Sequence, residues 1–280
     1  MILHTKTLKS WGGEQNKVLN ELKIHKKSNY KPILVCNPKS QIANRAKKEG
    51  IEVIEKEYMT SIGIDENRCK YLPSIVNIEH FEKTSPILRD EFNIPKEHIV
   101  LGIFTSLREV KGVFEFAEVA KRVLKRYHNL TVVFGGNYSK SAYEKIYQEY
   151  IDSNIDTNRV IWTGFRDDSA TIMKDFDIFL FPSHSEGLGT VILEAMASSL
   201  PIVVYDIAPM NQLVSDGVNG FCVPYKSIDR LTKRVEELIN DNNKRVKFAK
   251  NSKEYVSKNY RYEVLQESIN KLFKEYNVCT

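Results

Sequence analysis

From residue 99 onward, short β-branched and aromatic runs alternate with segments whose apolar positions recur at helical spacing. Ile99 to Phe104, Leu130 to Phe134, Val160 to Thr163, Asp177 to Phe181, Ile202 to Tyr205 and Gly220 to Val223 read as strands. Between them, Val113 to Tyr127, Ser141 to Ser153, Ser169 to Asp175, Leu188 to Ser199 and Ala208 to Asp216 read as helices. Strict alternation of this kind predicts a doubly wound α/β domain with a parallel sheet and right-handed crossovers. Ligands of such sheets bind outside the carboxyl ends of the strands. The polar and glycine-rich groups fall at those ends: Thr105 to Arg108, Gly135 to Asn137, Thr163 to Arg166 and Ser183 to Gly187. Four loops converging on one crevice predict a site.

The first 95 residues read as a second, smaller α/β unit. Met1 to Thr5, Pro32 to Cys36 and Glu52 to Glu55 are its candidate strands, with a helix from Gly13 to Lys26. After Met59 the pattern stops, and Ser61 to Arg68 and Tyr71 to Phe81 read as a connection leading out of the unit. Helices follow at Ser227 to Asn240, Asn243 to Asn259 and Tyr262 to Tyr276, the last of them amphipathic. The expected organisation is a reduced N-terminal α/β domain over 1–95, a complete Rossmann-like domain over 96–258, and a terminal helix over 259–280 that packs back on the N-terminal part.

Two glutamates eight positions apart, Glu186 and Glu194, bracket the start of the helix that follows the strand at Asp177 to Phe181. Glu186 falls in the loop and Glu194 two turns along the helix. At ~1.5 Å of rise per residue their carboxylates lie on the order of 10 Å apart, with free backbone amides between them. That layout suits a ligand with hydroxyls at both ends and negative charge in the middle, the form of a sugar nucleotide. Leu193 and Ala195 flank Glu194 in a mostly apolar helix, which argues against a surface role. Arg108 and Lys111 precede another helix, where cations oppose the helix dipole unless a polyanion is bound. Gly189 and Thr190 open the helix after Glu186 and offer amides to phosphate. Gly12 and Gly13 fit a tight turn. His184 reads as a loop residue without a role.

Composition narrows the class. The chain has 280 residues, 42% apolar and 28% charged, as ordinary globular proteins do. No apolar run approaches the ~20 residues of a membrane span, and Met1 to Thr5 lacks a signal-peptide pattern, so a cytosolic location is expected. Cys36, Cys69, Cys222 and Cys279 are scattered, which indicates neither a zinc cluster nor a disulfide framework. The net charge of +5 divides into +6 over residues 1 to 60 and −1 over the rest. Lys6, Lys9, Lys17, Lys23, Lys26, Lys27 and Lys31 crowd together there. A solvated face is the plain reading and contact with an anionic membrane surface or acceptor the sharper one; no aromatic-interleaved basic motif points to nucleic acid.

The run from Glu186 to Ala197, followed by Leu200-Pro-Ile-Val-Val and the stretch from Asp216 to Pro224, resembles the donor half of retaining GT-B glycosyltransferases of group 1, family 4. Arg108-Glu-Val-Lys111-Gly112 is similar to that family's phosphate-clamping motif, Thr163 to Asp168 to its base-side loop, and Trp11-Gly12-Gly13-Glu14 to its N-terminal glycine loop. The resemblance covers residues 96 to 260 in register. It implies that Glu186 contacts the transferred sugar and Glu194 the ribose. Arg108 and Lys111 then neutralise the leaving diphosphate, and Gly187, Leu188, Gly189 and Thr190 line it. Arg166 and Phe165 meet the base, and Gly12 and Gly13 face the phosphates from the acceptor side. It also implies reaction on one face of the sugar, the leaving phosphate taking the acceptor proton, with no protein nucleophile. Asp175-Phe176-Asp177 matches the metal-binding pattern of GT-A enzymes but precedes a buried strand; no metal or other cofactor is expected.

The family's N-terminal domain is longer than residues 1–95 allow, and neither His25 nor His80 matches its sugar-side histidine. The primary reading is a hexosyltransferase-type enzyme using a nucleoside diphosphate sugar and a polysaccharide or lipid-linked acceptor. A nucleotide-sugar-binding module completed by a partner is the alternative, and a sugar-nucleotide epimerase a weaker third.

Overall fold

The computed structural model describes residues 2–6, 13–28, 31–36, 41–55, 75–136, 147, 149–150, 153, 157–186 and 189–275. The chain divides into two compact units, 1–75 with 260–280, and 76–259.

The smaller unit holds three parallel strands, β1 (Ile2–Lys6), β2 (Pro32–Cys36) and β3 (Glu52–Glu55), in that order. Helix α1 (Gly13–Lys27) follows β1, and α2 (Gln41–Lys48), which the sequence pattern left unassigned, follows β2. Leu19, Leu22, Leu34, Ile42, Ala43, Ala46 and Ile51 form the core. The terminal helix, Tyr262–Glu275, belongs to the same unit: Leu265 and Ile269 pack with Ile24 and Ile75, and Lys27 lies 4.9 Å over the Tyr262 ring. The crowded lysines are partly engaged locally. Lys26 donates to the carbonyls of Glu49 (2.6 Å) and Gly50 (3.1 Å), while Lys23 pairs with Glu49 and Lys31 with Glu52. Such exposed pairs contribute little stability, so they leave the unit's net positive field in place.

The larger unit begins with two short helices, α3 (Ile78–Lys83) and α4 (Leu88–Glu91). They belong here through buried Phe81 and Leu88 and through long-range polar contacts. Lys174 donates to the carbonyls of Glu82 and Thr84, and Arg89 pairs with Asp175 (3.6 Å) and Asp177 (2.9 Å). The division therefore falls after Ile75 rather than at residue 95. The same contacts explain Asp175-Phe176-Asp177: one Asp177 oxygen also accepts from the Val100 amide at 2.8 Å, so this pair anchors the start of a strand.

Six parallel strands make the main sheet: β4 (Ile99–Phe104), β5 (Leu130–Gly135), β6 (Val160–Gly164), β7 (Ile178–Phe181), β8 (Ile202–Tyr205) and β9 (Gly220–Val223). Their order is β6-β5-β4-β7-β8-β9. Strands β5, β7 and β8 are buried along their length, as continuous apolar runs covered on both faces must be. Helix α5 (Val113–Leu124) buries Val113, Phe116, Ala117, Val119, Ala120, Val123 and Leu124 at helical spacing. Phe116 meets Phe134 edge-on at 4.7 Å, and Phe134 stacks on Trp162 at 4.3 Å. Burying each such aromatic contributes on the order of 2–3 kcal/mol. The remaining helices are α6 (Ser169–Met173), α7 (Thr190–Ala197), α8 (Met210–Leu213), α9 (Ile228–Asn240) and α10 (Asn242–Asn259). The predicted helix from Ala208 to Asp216 shrinks to four residues, with Pro209 at its N-cap position and Val214, in extended conformation, at its C-cap. Cys222 accepts burial as a packing thiol, its ionisation pushed up to about 12 by desolvation first and by Asp206 and Asp216 next. No helix among the described residues is long and apolar enough to cross a membrane.

Candidate functional site

The chain runs outward from β4 through β5 and β6 on one side and from β7 through β8 and β9 on the other, so the gap between β4 and β7 is the topological switch point. Two helices start there. Helix α5 is entered through Gly112 (φ 70, ψ 30) and α7 through Gly189 (φ 62, ψ 30), both left-handed, and neither helix has a side-chain N-cap. Adjacent strands thus deliver two uncapped helix N-termini to the same edge of the sheet, where amide donors and the helix dipoles favour an anion. A Cβ at Gly112 would stand 1.9 Å from the Pro182 carbonyl oxygen, in addition to the left-handed backbone. Gly112→Ala is expected to lower stability by at least about 2 kcal/mol, read as a lowered urea midpoint. An unchanged midpoint would remove the close approach of these two loops.

The central contact is an ion pair. Lys111 Nζ lies 2.6 Å from Glu186 Oε1, with side chains only 15% and 9% exposed. The buried Ser183 hydroxyl donates to the same carboxylate oxygen at 2.9 Å, and Lys111 sits 6.0 Å above the Phe181 ring. Two residues expected to hold different parts of a ligand therefore neutralise one another. Arg108, three residues before Lys111, is exposed, and its Nε donates to Ser106 at 3.3 Å.

Glu194 lies partly buried within α7, among Leu193, Ala195 and Met196, all fully buried. Desolvation pushes its carboxyl up to about 7, opposed by a hydrogen bond from the Ser169 hydroxyl. Hydrogen-bond donors of a ligand that reach this carboxyl favour its ionised form. Thr190 opens the helix and is partly buried.

Arg166, expected at the base, has two carboxylate partners within the chain. Its Nε and one terminal nitrogen grip both oxygens of Asp168 (2.8 and 2.7 Å), and the other nitrogen bonds Glu91 at 2.8 and 3.1 Å. That fork holds the Asp168 carboxyl at about 2, with help from the Thr171 hydroxyl and against burial. With all three nitrogens engaged, Arg166 braces the loop after β6. Its neighbour Phe165, 66% exposed, is the side chain that this loop presents.

Gly13 opens α1 of the smaller unit. Gly12, Gly187 and Leu188 lie outside the described residues. Glu91 escaped the sequence reading, and Asp168 and Ser183, which lie in the loops it singled out, were given no role of their own. A pocket of about 470 Å³ lies elsewhere, lined by Asp216, Phe221, Arg234, Glu237 and Lys244 among others. Three of its charged residues pair with one another, Glu237 with both Arg234 and Lys244, and Arg234 stacks on Phe221 at 4.3 Å.

An N-acetylgalactosaminyltransferase of Campylobacter jejuni that acts on N,N'-diacetylbacillosaminyl-diphospho-undecaprenol is 30% identical over 203 residues, 70% of this chain and 52% of that protein. The chain thus spans about half the length of the curated relatives it matches. A glycosyltransferase from Rickettsia africae superposes with a TM-score of 0.88 at 13% identity, covering 98% of this chain and 97% of that one. HepE of Anabaena, crystallised with UDP and glucose, gives 0.83 at 17% identity, covering 98% and 99%. At those identities the structures speak for the GT-B fold alone. Residues 84–255, which carry the switch point, the ion pair and Glu194, match the glycosyl transferases group 1, and the chain belongs to that family.

Proposed function

We propose that this chain transfers a hexose-type sugar from a nucleoside diphosphate donor to a hydroxyl acceptor, with retention of configuration. The observation that carries the proposal is the Lys111–Glu186 pair between two uncapped helix N-termini at the switch point. A diphosphate entering there takes over Lys111 and the helix amides, with Arg108 as a second cation, and releases Glu186 to the sugar hydroxyls. Glu194 accepts from the ribose hydroxyls, and Phe165 meets the base. The glycosidic C–O bond to phosphate breaks as the acceptor oxygen attacks on the same face, and the acceptor proton passes to the leaving phosphate oxygen. Lys111 and Arg108 stabilise the charge that develops on that phosphate.

The Campylobacter relative's lipid-linked acceptor supports an acceptor of polysaccharide or lipid-linked type, and the net charge of +6 over residues 1 to 60 fits an anionic membrane surface. Lys111 and Arg108 supply the counter-charge for the diphosphate, so a chelator is expected to leave nucleotide affinity unchanged within twofold. A requirement for magnesium would contradict that assignment. A second reading, a donor-binding module that needs a partner for turnover, is favoured by the three-stranded sheet described in the smaller unit.

One screen separates them. Uridine, guanosine and adenosine diphosphates and their sugar conjugates are assayed for thermal protection and then for sugar release or transfer. At one hundred times Kd, protection of about 2.7 kcal/mol is expected from the cognate nucleotide. Turnover by the isolated chain excludes the module reading, protection without turnover favours it, and the absence of protection by any nucleotide defeats both.

A further inference from the structure

Resting on the donor-site reading, we infer that His184 is a positioning residue for Glu186, acting through a cluster with Glu115, Tyr205 and Tyr225. The segment that leaves β7 turns its side chains alternately. Ser183 faces inward and donates to Glu186, whereas the next residue, His184, sends its imidazole the other way. There Nδ1 lies 3.0 Å from the Tyr225 hydroxyl, which follows β9, and Nε2 lies 2.7 Å from Oε1 of Glu115, in the first turn of α5. The imidazole also packs edge-on against Tyr205, the last residue of β8, at 6.2 Å and against Tyr225 at 5.5 Å. Its own amide donates to the Val110 carbonyl at 2.8 Å, one residue before Lys111. One side chain therefore ties the segment carrying Glu186 to the helix entered through Lys111 and Gly112, and to the exits of two further strands.

The cluster is not arranged for stability alone. Nε2 of His184 is close to Glu115 but lacks the alignment of a hydrogen bond, and the buried Tyr205 hydroxyl has no hydrogen-bond partner among the described residues. Buried polar atoms left in this state cost free energy, and they persist where position matters more than stability. Packing and charge at this junction hold the two residues before Glu186 in a single arrangement. Loss of the imidazole lets that segment sample others, and apparent affinity falls with the fraction that remains competent. The loss is specific: Glu186 is the sugar contact, whereas Glu194 and the helix amides serve the nucleoside diphosphate from another element.

The test titrates the full chain, His184→Ala and Tyr225→Phe with uridine, guanosine and adenosine diphosphates and with their hexose conjugates, alongside the Tm of each protein. His184→Ala is expected to lose at least fivefold more affinity for the sugar conjugate than for the bare diphosphate. Tyr225→Phe, which keeps the ring and removes only the hydroxyl, is expected to lose about half that factor with an unchanged Tm. Equal losses for both ligands in both variants, or no loss in either, overturn the inference. Failure of the unaltered chain to bind any nucleotide overturns the donor-site reading instead.

Discussion

Replacing Lys111 by alanine is expected to weaken nucleoside diphosphate binding by more than tenfold, whereas Glu186→Gln is expected to strengthen binding of the bare diphosphate about threefold. The opposite signs follow from the ion pair. In the ligand-free chain Glu186 already occupies Lys111, at 2.6 Å and largely shielded from water. A diphosphate must displace that carboxylate before it gains the cation. Removing the carboxylate charge while keeping its shape frees Lys111, and the neutral amide still accepts from Ser183. Removing the cation costs the phosphate its charge-assisted hydrogen bond, which is worth roughly 1.5–3 kcal/mol, a factor of ten or more. It also leaves a shielded carboxylate with the Ser183 hydroxyl as its remaining donor among the described residues, so Lys111→Ala should lower stability by about 1–3 kcal/mol. Glu186→Gln should meanwhile slow sugar transfer at least tenfold, because the carboxylate is lost from the sugar. Calorimetry with the bare diphosphate and turnover with the sugar conjugate read the two effects separately. A loss of diphosphate affinity in both variants would contradict the exchange.

Glu194→Gln should stabilise the ligand-free chain near neutral pH while weakening nucleotide binding. Desolvation raises the Glu194 carboxyl to about 7, above its ordinary 4.5. The folded state therefore holds this proton more tightly than the unfolded state. The stability it confers is fully present below pH 4.5, falls as pH rises to 7, and stays lost above that. At ~1.4 kcal/mol per unit the loss is on the order of 3 kcal/mol, an upper figure for a group that is only partly buried. Glutamine cannot ionise and has no such slope, so the variant should overtake the unaltered chain between pH 5 and 7 in urea midpoint. Nucleotide binding runs the other way. Ribose hydroxyls donate to the ionised carboxylate, so affinity of the unaltered chain should rise from pH 6 to 8, and proton release should accompany binding below pH 7. The variant should bind about tenfold more weakly at pH 8 with a flat pH profile. Parallel pH profiles for the two proteins would take Glu194 out of the ribose site.

The main sheet was legible in the sequence because a parallel strand covered on both faces must be apolar throughout, as Ile178–Phe181 and Ile202–Tyr205 are. The helices that escaped notice lack that signal. Helix α2 buries only Ile42, Ala43 and Ala46 among three cations, so small alanines stand in for the usual apolar stripe. Helices α3 and α4 have six and four residues, too short for any period to show, and they join the larger unit through Arg89 and Lys174 rather than through a hydrophobic pattern. The site was legible in composition and not in its pairings. Glu186, Glu194, Arg108 and Lys111 stood out by type and place. That Lys111 meets Glu186, and that Arg166 meets Glu91, each across 75 positions of sequence, depends on which strands become neighbours. A local reading therefore assigned both cations directly to a ligand. The structure gives Lys111 an internal partner that a ligand can replace, and gives Arg166 two carboxylate partners, Asp168 and Glu91, that fix a loop.

The most direct test of the account is a crystal structure of the chain with the nucleoside diphosphate that protects it best. The account predicts the diphosphate between Lys111 and the start of α7, the Lys111–Glu186 pair opened, and the ribose hydroxyls within hydrogen-bond distance of Glu194. A nucleotide bound elsewhere, or one seated at the switch point with Lys111 still 2.6 Å from Glu186, would contradict it.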